Sequence, residues 1–165
     1  MINKVLFICI GNICRSPMAE GLFKQALPDR AVFSAGLSAM VGEPADLLSI
    51  QLMQEHGIDI RDHRARSLAG WMISETDLIV TMDQDQKRFI EQRYPASRGK
   101  VMRIGQAGSY DVPDPYRRGL SAFLHSYNLI AEGIDQLVER IAQPGEEARQ
   151  YVPTPVREFP VPSVP

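Results

Sequence analysis

Cys9 and Arg15 face each other across a short loop with five residues between them, and together they could carry out chemistry on a phosphoryl group. A cysteine thiolate is a strong nucleophile, and a guanidinium can fork two hydrogen bonds onto two phosphoryl oxygens, which a lysine point charge cannot do. Gly11 and Asn12 lie between them and are the residue types that most readily take positive φ, so the backbone there can curl and turn its N–H groups inward. Ser16-Pro17 then reads as a helix start, with serine as N-cap and proline at the first helical position. The positive end of that helix dipole falls on the same concavity, which suits a dianion such as phosphate and favours thiolate over thiol. The Ser16 hydroxyl is free to donate to the sulfur or to cap the helix.

A thiolate attacking phosphorus in line expels an oxygen that needs a proton from the far side. The turn-rich loop 105–119 offers Asp114, between Pro113 and Pro115, with Asp111 as its rival. Proline on either side of Asp114 restricts the backbone and can aim the carboxyl group. The steps would be transfer of the phosphoryl group to Cys9 with protonation of the leaving oxygen, then hydrolysis of phosphocysteine by water that the aspartate deprotonates. Arg15 and the loop amides would hold the equatorial oxygens throughout. No step calls for a cofactor.

These residues need a scaffold, and the pattern supplies one. Residues 4–8 form a short β-branched and aromatic run suited to a strand buried on both faces, which ends at Cys9. Met18, Ala19, Leu22, Phe23, Ala26 and Leu27 recur at helical spacing, and a second strand covers 31–36. Residues 37–44 read as a loop, 45–56 as a helix closed by Gly57, and Ser67 as the cap of a short helix through Ile73. A third strand at 77–82 is followed by Asp83, the expected N-cap of a helix over 84–94, and a fourth strand lies at 100–104. The last helix is the most regular, with Phe123, Tyr127, Ile130, Ile134, Leu137, Val138 and Ile141 on one face. Strands alternating with helices predict an α/β fold, three α-β-α layers around a central four-stranded parallel sheet. Ligands in such folds bind outside the carboxyl ends of the strands, where the Cys9 loop lies.

The 165 residues fit one domain, residues 1–142, followed by a Pro-rich tail at 143–165 that reads as flexible. A net charge of −2 argues against nucleic acid as partner. The apolar run at 5–10 is too short for a signal-peptide core or a membrane span, which predicts a cytoplasmic protein without membrane insertion. The two cysteines share one loop and the histidines, His56, His63 and His125, are scattered, so neither a disulfide framework nor a metal site is expected.

Cys9-Ile10-Gly11-Asn12-Ile13-Cys14-Arg15-Ser16-Pro17, followed downstream by Asp114-Pro115-Tyr116, resembles the low-molecular-weight protein tyrosine phosphatases. Ser34-Ala35-Gly36, His63-x-Ala65-Arg66 and Thr81-Met82-Asp83 look like further landmarks of that family, and the resemblance spans about residues 2–142. It implies a flavodoxin-like sheet, Cys9 as nucleophile, Arg15 as transition-state clamp and Asp114 as general acid. It also implies that Asn12, Ser16 and His63 support the loop and that Tyr116 walls the cleft. Ile10, Gly11, Asn12, Ile13, Cys14 and Ser16, with Leu37 and Tyr116 at the rims, are then the expected substrate contacts, and phosphate or another oxyanion is an expected occupant. Many members carry an aromatic residue after Ser-Ala-Gly, whereas Leu37-Ser38-Ala39-Met40 has none. The chain looks more like the bacterial branch that dephosphorylates membrane tyrosine autokinases of exopolysaccharide production, which would make such a kinase its phosphotyrosyl partner.

Three rivals share parts of this pattern. Arsenate reductases of similar fold need cysteines beyond the loop, and this chain has none there. Protein arginine phosphatases resemble the family but usually carry threonine where Ile13 stands, and a bulky Ile13 suits a flat phenyl ring. A non-catalytic phosphoprotein-binding module would dispense with Cys9 and Asp114. Cys14 is either a core filler or a redox-protective partner that forms a disulfide with Cys9. Arg117 and Arg118 stand beside the cleft loop and could attract acidic phosphopeptides, although paired surface charges usually do nothing specific.

Overall fold

The chain is described by a computed structural model covering residues 1–146, so residues 147–165 of the expected tail lie outside the described residues. The order is β1 (Lys4–Cys9), α1 (Arg15–Ala26), β2 (Ala31–Gly36), α2 (Leu47–Glu55), α3 (Gly70–Glu75), β3 (Leu78–Thr81), α4 (Gln84–Arg93), a short 3-10 turn (Pro95–Ser97), β4 (Val101–Arg103) and α5 (Leu120–Ile141). The strands form one parallel sheet in the order β2-β1-β3-β4, with Cys9 opposite Gly36 and Ile8 opposite Thr81. The chain crosses from one side of β1 to the other between β2 and β3, so the β1 loop opens at the switch point where such sheets bind ligands.

Alternation along β1 sorts its side chains between two cores. Val5, Phe7 and Cys9 join Met18, Leu22 and Phe23 of α1 and Phe123, Ile130 and Ile134 of α5, while Leu6 and Ile8 join Met72, Ile73, Ile79 and Ile90 on the opposite face. This is the three-layer arrangement expected. The parity also decides where the cysteine goes: being even-spaced from Val5 and Phe7, Cys9 faces the layer that contains the start of α1.

The expected α5 face is buried from Phe123 to Val138, Asp83 caps α4 by accepting from the Gln86 N–H at 2.8 Å, and Gly57 takes a φ of +75° just after α2. Two expected caps are corrected. α1 starts at Arg15 rather than after Ser16, and the Ser16 hydroxyl turns to the cysteine instead of the helix end. Ser67 does not begin α3: the chain there runs beside Gly36, with Gly36 N–H donating to Arg66 O and Leu68 N–H to Gly36 O, each at 2.9 Å, and the helix starts at Gly70. In both cases tertiary hydrogen bonds outcompete the local capping preference.

At the far end of the sheet Arg30 is buried and gathers four parts of the chain. Its guanidinium donates to Ile2 O and to Ile141 O, and it holds Glu146 in a bidentate ion pair with contacts at 2.6 and 3.1 Å. No helix of the described residues is long and apolar enough to cross a membrane.

Candidate active site

The loop between β1 and α1 is shaped by what its carbonyl groups do. Cys9 O accepts from Leu37 N–H, Ile10 O from Ser38 N–H, Gly11 O from Met40 N–H and Ile13 O from Asp46 N–H, at 2.8 to 3.0 Å. Asn12 O lies 2.6 Å from His63 Nε2, and Cys14 O accepts from Ser49 Oγ at 3.3 Å. Every carbonyl from Cys9 to Cys14 is thus pulled outward. The N–H groups of Gly11, Asn12, Ile13 and Cys14 have no acceptor among the described residues, which leaves these donors available to an anion.

Asn12 locks this shape. Its φ is +57°, in the left-handed region, and its side chain uses both ends: Oδ1 accepts from Arg66 N–H at 3.0 Å, while Nδ2 donates to Ser16 Oγ at 2.8 Å and to Ser34 Oγ at 3.0 Å. Ser34 in turn donates to Glu20 Oε2 at 2.7 Å, and His63 Nδ1 lies 4.0 Å from the same carboxylate oxygen. Ser16 Oγ accepts from Asn12 and shares a hydrogen bond with Cys9 Sγ at 3.0 Å. The Asn12 and Ser16 side chains are fully buried and brace the loop from behind.

The cleft above the loop has a volume of ≈ 200 Å³. It is lined by Cys9, Ile10, Gly11, Ile13, Cys14 and Arg15 of the loop, by Ser38 and Met40 after β2, and by Asp114 and Tyr116. Arg15 is 3% exposed and donates through one nitrogen to Val112 O at 2.9 Å. Asp83 Oδ2 lies 3.8 Å from the same nitrogen, and Asp114 Oδ2 lies 3.7 Å from the other. A buried cation is thereby given charge partners and aimed along the cleft. Asp114 accepts from Tyr116 N–H at 3.1 Å and is half exposed, which ties the carboxylate to the aromatic wall while leaving one oxygen toward the cleft.

The alternative acid, Asp111, is occupied elsewhere, accepting from Arg103 at 2.8 Å and from Gln84 N–H at 3.2 Å. Leu37 packs into the second core, against the layer of Leu6 and Ile8, and does not line the cleft. Ser38 and Met40, in the turn and loop after β2, line the cleft instead. Both cysteines are free thiols. Burial, followed by the charges of Asp46, Cys9 and Asp114, pushes the Cys14 thiol well above its ordinary range. Among the described residues no group of three or more His, Cys, Asp or Glu is placed to hold a metal ion.

Sequence reasoning missed Glu20 and the second duty of Asp83. Glu20 falls within α1 and reads as a solvated helix carboxylate. Asp83 was visible only as a cap and a landmark, yet it follows β3, the neighbour of β1, and that adjacency brings its free oxygen to Arg15.

A thiol, a buried arginine and a carboxylate brought to one cleft are the groups that phosphoryl transfer through sulfur would need. The comparisons agree, and the chain belongs to the family described as low molecular weight phosphotyrosine protein phosphatase, which matches residues 4–147. It is 48% identical over 141 residues to a protein of Ralstonia nicotianae named probable low molecular weight protein-tyrosine-phosphatase EpsP, covering 86% of this chain and 97% of that one. Among solved structures it is similar to Wzb of Vibrio vulnificus in complex with benzylphosphonate, at 38% identity and a TM-score of 0.82, over 86% of this chain and 100% of the other. The YwlE arginine phosphatase of Geobacillus stearothermophilus is 30% identical, with a TM-score of 0.78, over 83% of this chain and 91% of the other.

Proposed function

We propose that this enzyme hydrolyses phosphotyrosine through a phosphocysteine intermediate, in the cytoplasm, on a membrane tyrosine autokinase that controls exopolysaccharide production. The observation that carries the chemistry is the position of Cys9 Sγ below a loop whose carbonyls are all tied outward, leaving the amides of Gly11 to Cys14 for the phosphoryl oxygens. In the first step the sulfur attacks phosphorus, the bond to the aryl oxygen breaks, and Asp114 supplies that oxygen with a proton. In the second step Asp114 takes a proton from water as its oxygen attacks phosphorus, and the sulfur leaves as thiolate, supported by the Ser16 hydroxyl. Arg15 spreads the charge of the equatorial oxygens in both steps, and Asp83 positions it.

The choice of tyrosine rests on the depth and walls of the cleft. The Tyr116 ring and the Ile13 and Met40 side chains offer apolar surface to a phenyl group above the loop. Relatives such as EpsP and Wzb are named low molecular weight protein-tyrosine-phosphatases, which supports a phosphotyrosyl substrate. Cys14 is part of the proposal as a protective thiol: a peroxide converts Cys9 to its sulfenic acid, and the Cys14 sulfur displaces that oxygen as water to form a disulfide.

The test is turnover of phenyl phosphate and of phosphotyrosyl, phosphoseryl and phosphoarginyl peptides by the wild type, Cys9→Ser and Asp114→Asn. Turnover restricted to aryl esters and abolished in Cys9→Ser is expected. Asp114→Asn is expected to slow phenyl phosphate by about 10²-fold or more, and 4-nitrophenyl phosphate less, because the better leaving group needs less of the proton. Full activity in Cys9→Ser, or faster turnover of phosphoarginine than phosphotyrosine, would overturn the reading.

A further inference from the structure

Tyr116 walls the cleft, and its ring is covered in turn by Arg117, whose guanidinium carbon lies 5.1 Å from the ring centroid. This contact holds a long side chain that would otherwise sample many rotamers, and holds it beside the entrance. Arg117 also has a φ of +60°, in the left-handed region that glycine or asparagine would occupy more easily. A bulky residue kept in such a conformation at the rim of a site is the kind of backbone outlier from which function can be argued.

Among the described residues neither Arg117 nor Arg118 has a carboxylate within 4.0 Å, as is also true of Arg64, Arg66, Arg93, Arg98 and Arg140, so the charge of Arg117 is not neutralised by a neighbour. Arg117 and Arg118 are both exposed on the loop that carries Asp114. Of the residues that line the cleft, Ile10, Ser38 and Met40 are uncharged, and Arg15 and Asp114 lie 3.7 Å apart as partners of each other. Arg117 and Arg118 differ in that only Arg117 is stacked on the cleft wall.

We propose that Arg117 is a specificity-determining residue that makes the cleft prefer phosphotyrosine flanked by an acidic side chain. The proposal rests on the tyrosine phosphatase reading and adds the class of sequence around the scissile group. A phosphotyrosine seated on the loop must carry its peptide out past Tyr116, and a Glu or Asp one or two residues away can meet the guanidinium there. A partly exposed pair of this kind is worth a preference of about fivefold, and it weakens as salt shortens the reach of the charge from about 10 Å at 0.1 M to about 3 Å at 1 M.

The experiment compares kcat/KM for phosphotyrosyl peptides that differ only in bearing Glu, Gln or Lys at each flanking position, at 0.05 and 1 M salt. The wild type is expected to favour Glu over Gln by about fivefold on at least one flank and to lose the preference at high salt. The Glu-to-Gln ratio is expected to collapse to near one in Arg117→Gln, to persist in Arg118→Gln, and to invert toward the Lys peptide in Arg117→Glu. A ratio near one in the wild type, or one unchanged in Arg117→Gln, overturns the proposal. If no phosphotyrosyl peptide is turned over at all, it is the tyrosine phosphatase reading that fails.

Discussion

The Ser16 hydroxyl stands 3.0 Å from Cys9 Sγ and accepts a hydrogen bond from Asn12, which fixes its oxygen beside the sulfur and in position to donate to a thiolate. The contact supports negative charge on sulfur both when it attacks and when phosphocysteine expels it. Losing one charge-assisted bond costs about 1.5–3 kcal/mol, or roughly 10- to 100-fold in rate. Ser16→Ala is therefore expected to lower kcat by that factor and to make breakdown of phosphocysteine the slow step. Rapid-quench measurement with 4-nitrophenyl phosphate should show a burst of nitrophenol approaching one equivalent. A lowered rate without a burst would place the role of Ser16 in the first step.

Gly36 is opposite Cys9 in the sheet, and a β-carbon added there would sit 2.5 Å from the carbonyl oxygen of Ile10. Backbone on both sides leaves no flexible side chain to give way. Gly36→Ala is expected to push the phosphate loop by a fraction of an ångström or more and to cost about 10²-fold in kcat/KM, since misplacement on that scale removes alignment. Weaker binding of inorganic vanadate or phosphate by the folded variant would locate the damage in the loop.

The proposed protection by Cys14 has a pH signature. Burial keeps its thiol protonated at neutral pH, and the thiolate is the attacking species, so closure of the disulfide should accelerate steadily as pH rises from 6 to 9. Mass spectrometry after a peroxide pulse would follow the loss of two hydrogens. In Cys14→Ser no intramolecular disulfide forms, and reactivation by dithiothreitol after longer exposure should fall far below that of the wild type. Equal recovery of the two proteins would leave Cys14 as a core filler.

Asp135 on α5 should shape stability in mild acid. Burial and the neighbouring Glu139 and Glu132 raise its carboxyl to about 6. The folded state therefore binds this proton more tightly than the unfolded chain does. The stabilisation is fully present below the unfolded value near 4 and disappears as pH rises through 6. At pH 7 the ionised group is a burden, so Asp135→Asn is expected to be more stable than wild type by about 1 kcal/mol after allowance for solvent screening. Urea titrations of both proteins should converge near pH 4, and a gap that stays constant with pH would refute the assignment.

How far the chain could be read from its residues depended on whether a role is local. The strand that ends at Cys9 placed the thiol at the start of the loop, and the positive φ of Asn12 was legible because few residues tolerate it. Residues 37–40 have no period, and their alternation between core and cleft became visible only once Leu37 was seen against the second core and Met40 in the cleft wall. For Ser16 both a cap and a contact with the sulfur were open from the residues, and the fold selects the sulfur, with Asn12 as a second partner. Asp83 and Glu20 were hidden for a related reason. Each has an ordinary local explanation, and each acts through a residue more than ten positions away.

Arg30 has a consequence for how the protein comes apart. The last turn of a 22-residue helix would ordinarily be the first to fray, but here its Ile141 carbonyl, the Ile2 carbonyl and the Glu146 carboxylate share one buried guanidinium. Both ends of the described chain are thus buckled to the same point, at the end of the sheet away from the catalytic loop. Opening there cannot begin as a small local event: α5 has to release Arg30, and with it the strand that leads to Cys9. Hydrogen exchange at the end of α5 should accordingly run with global unfolding, making the helix terminus and the catalytic strand one cooperative unit.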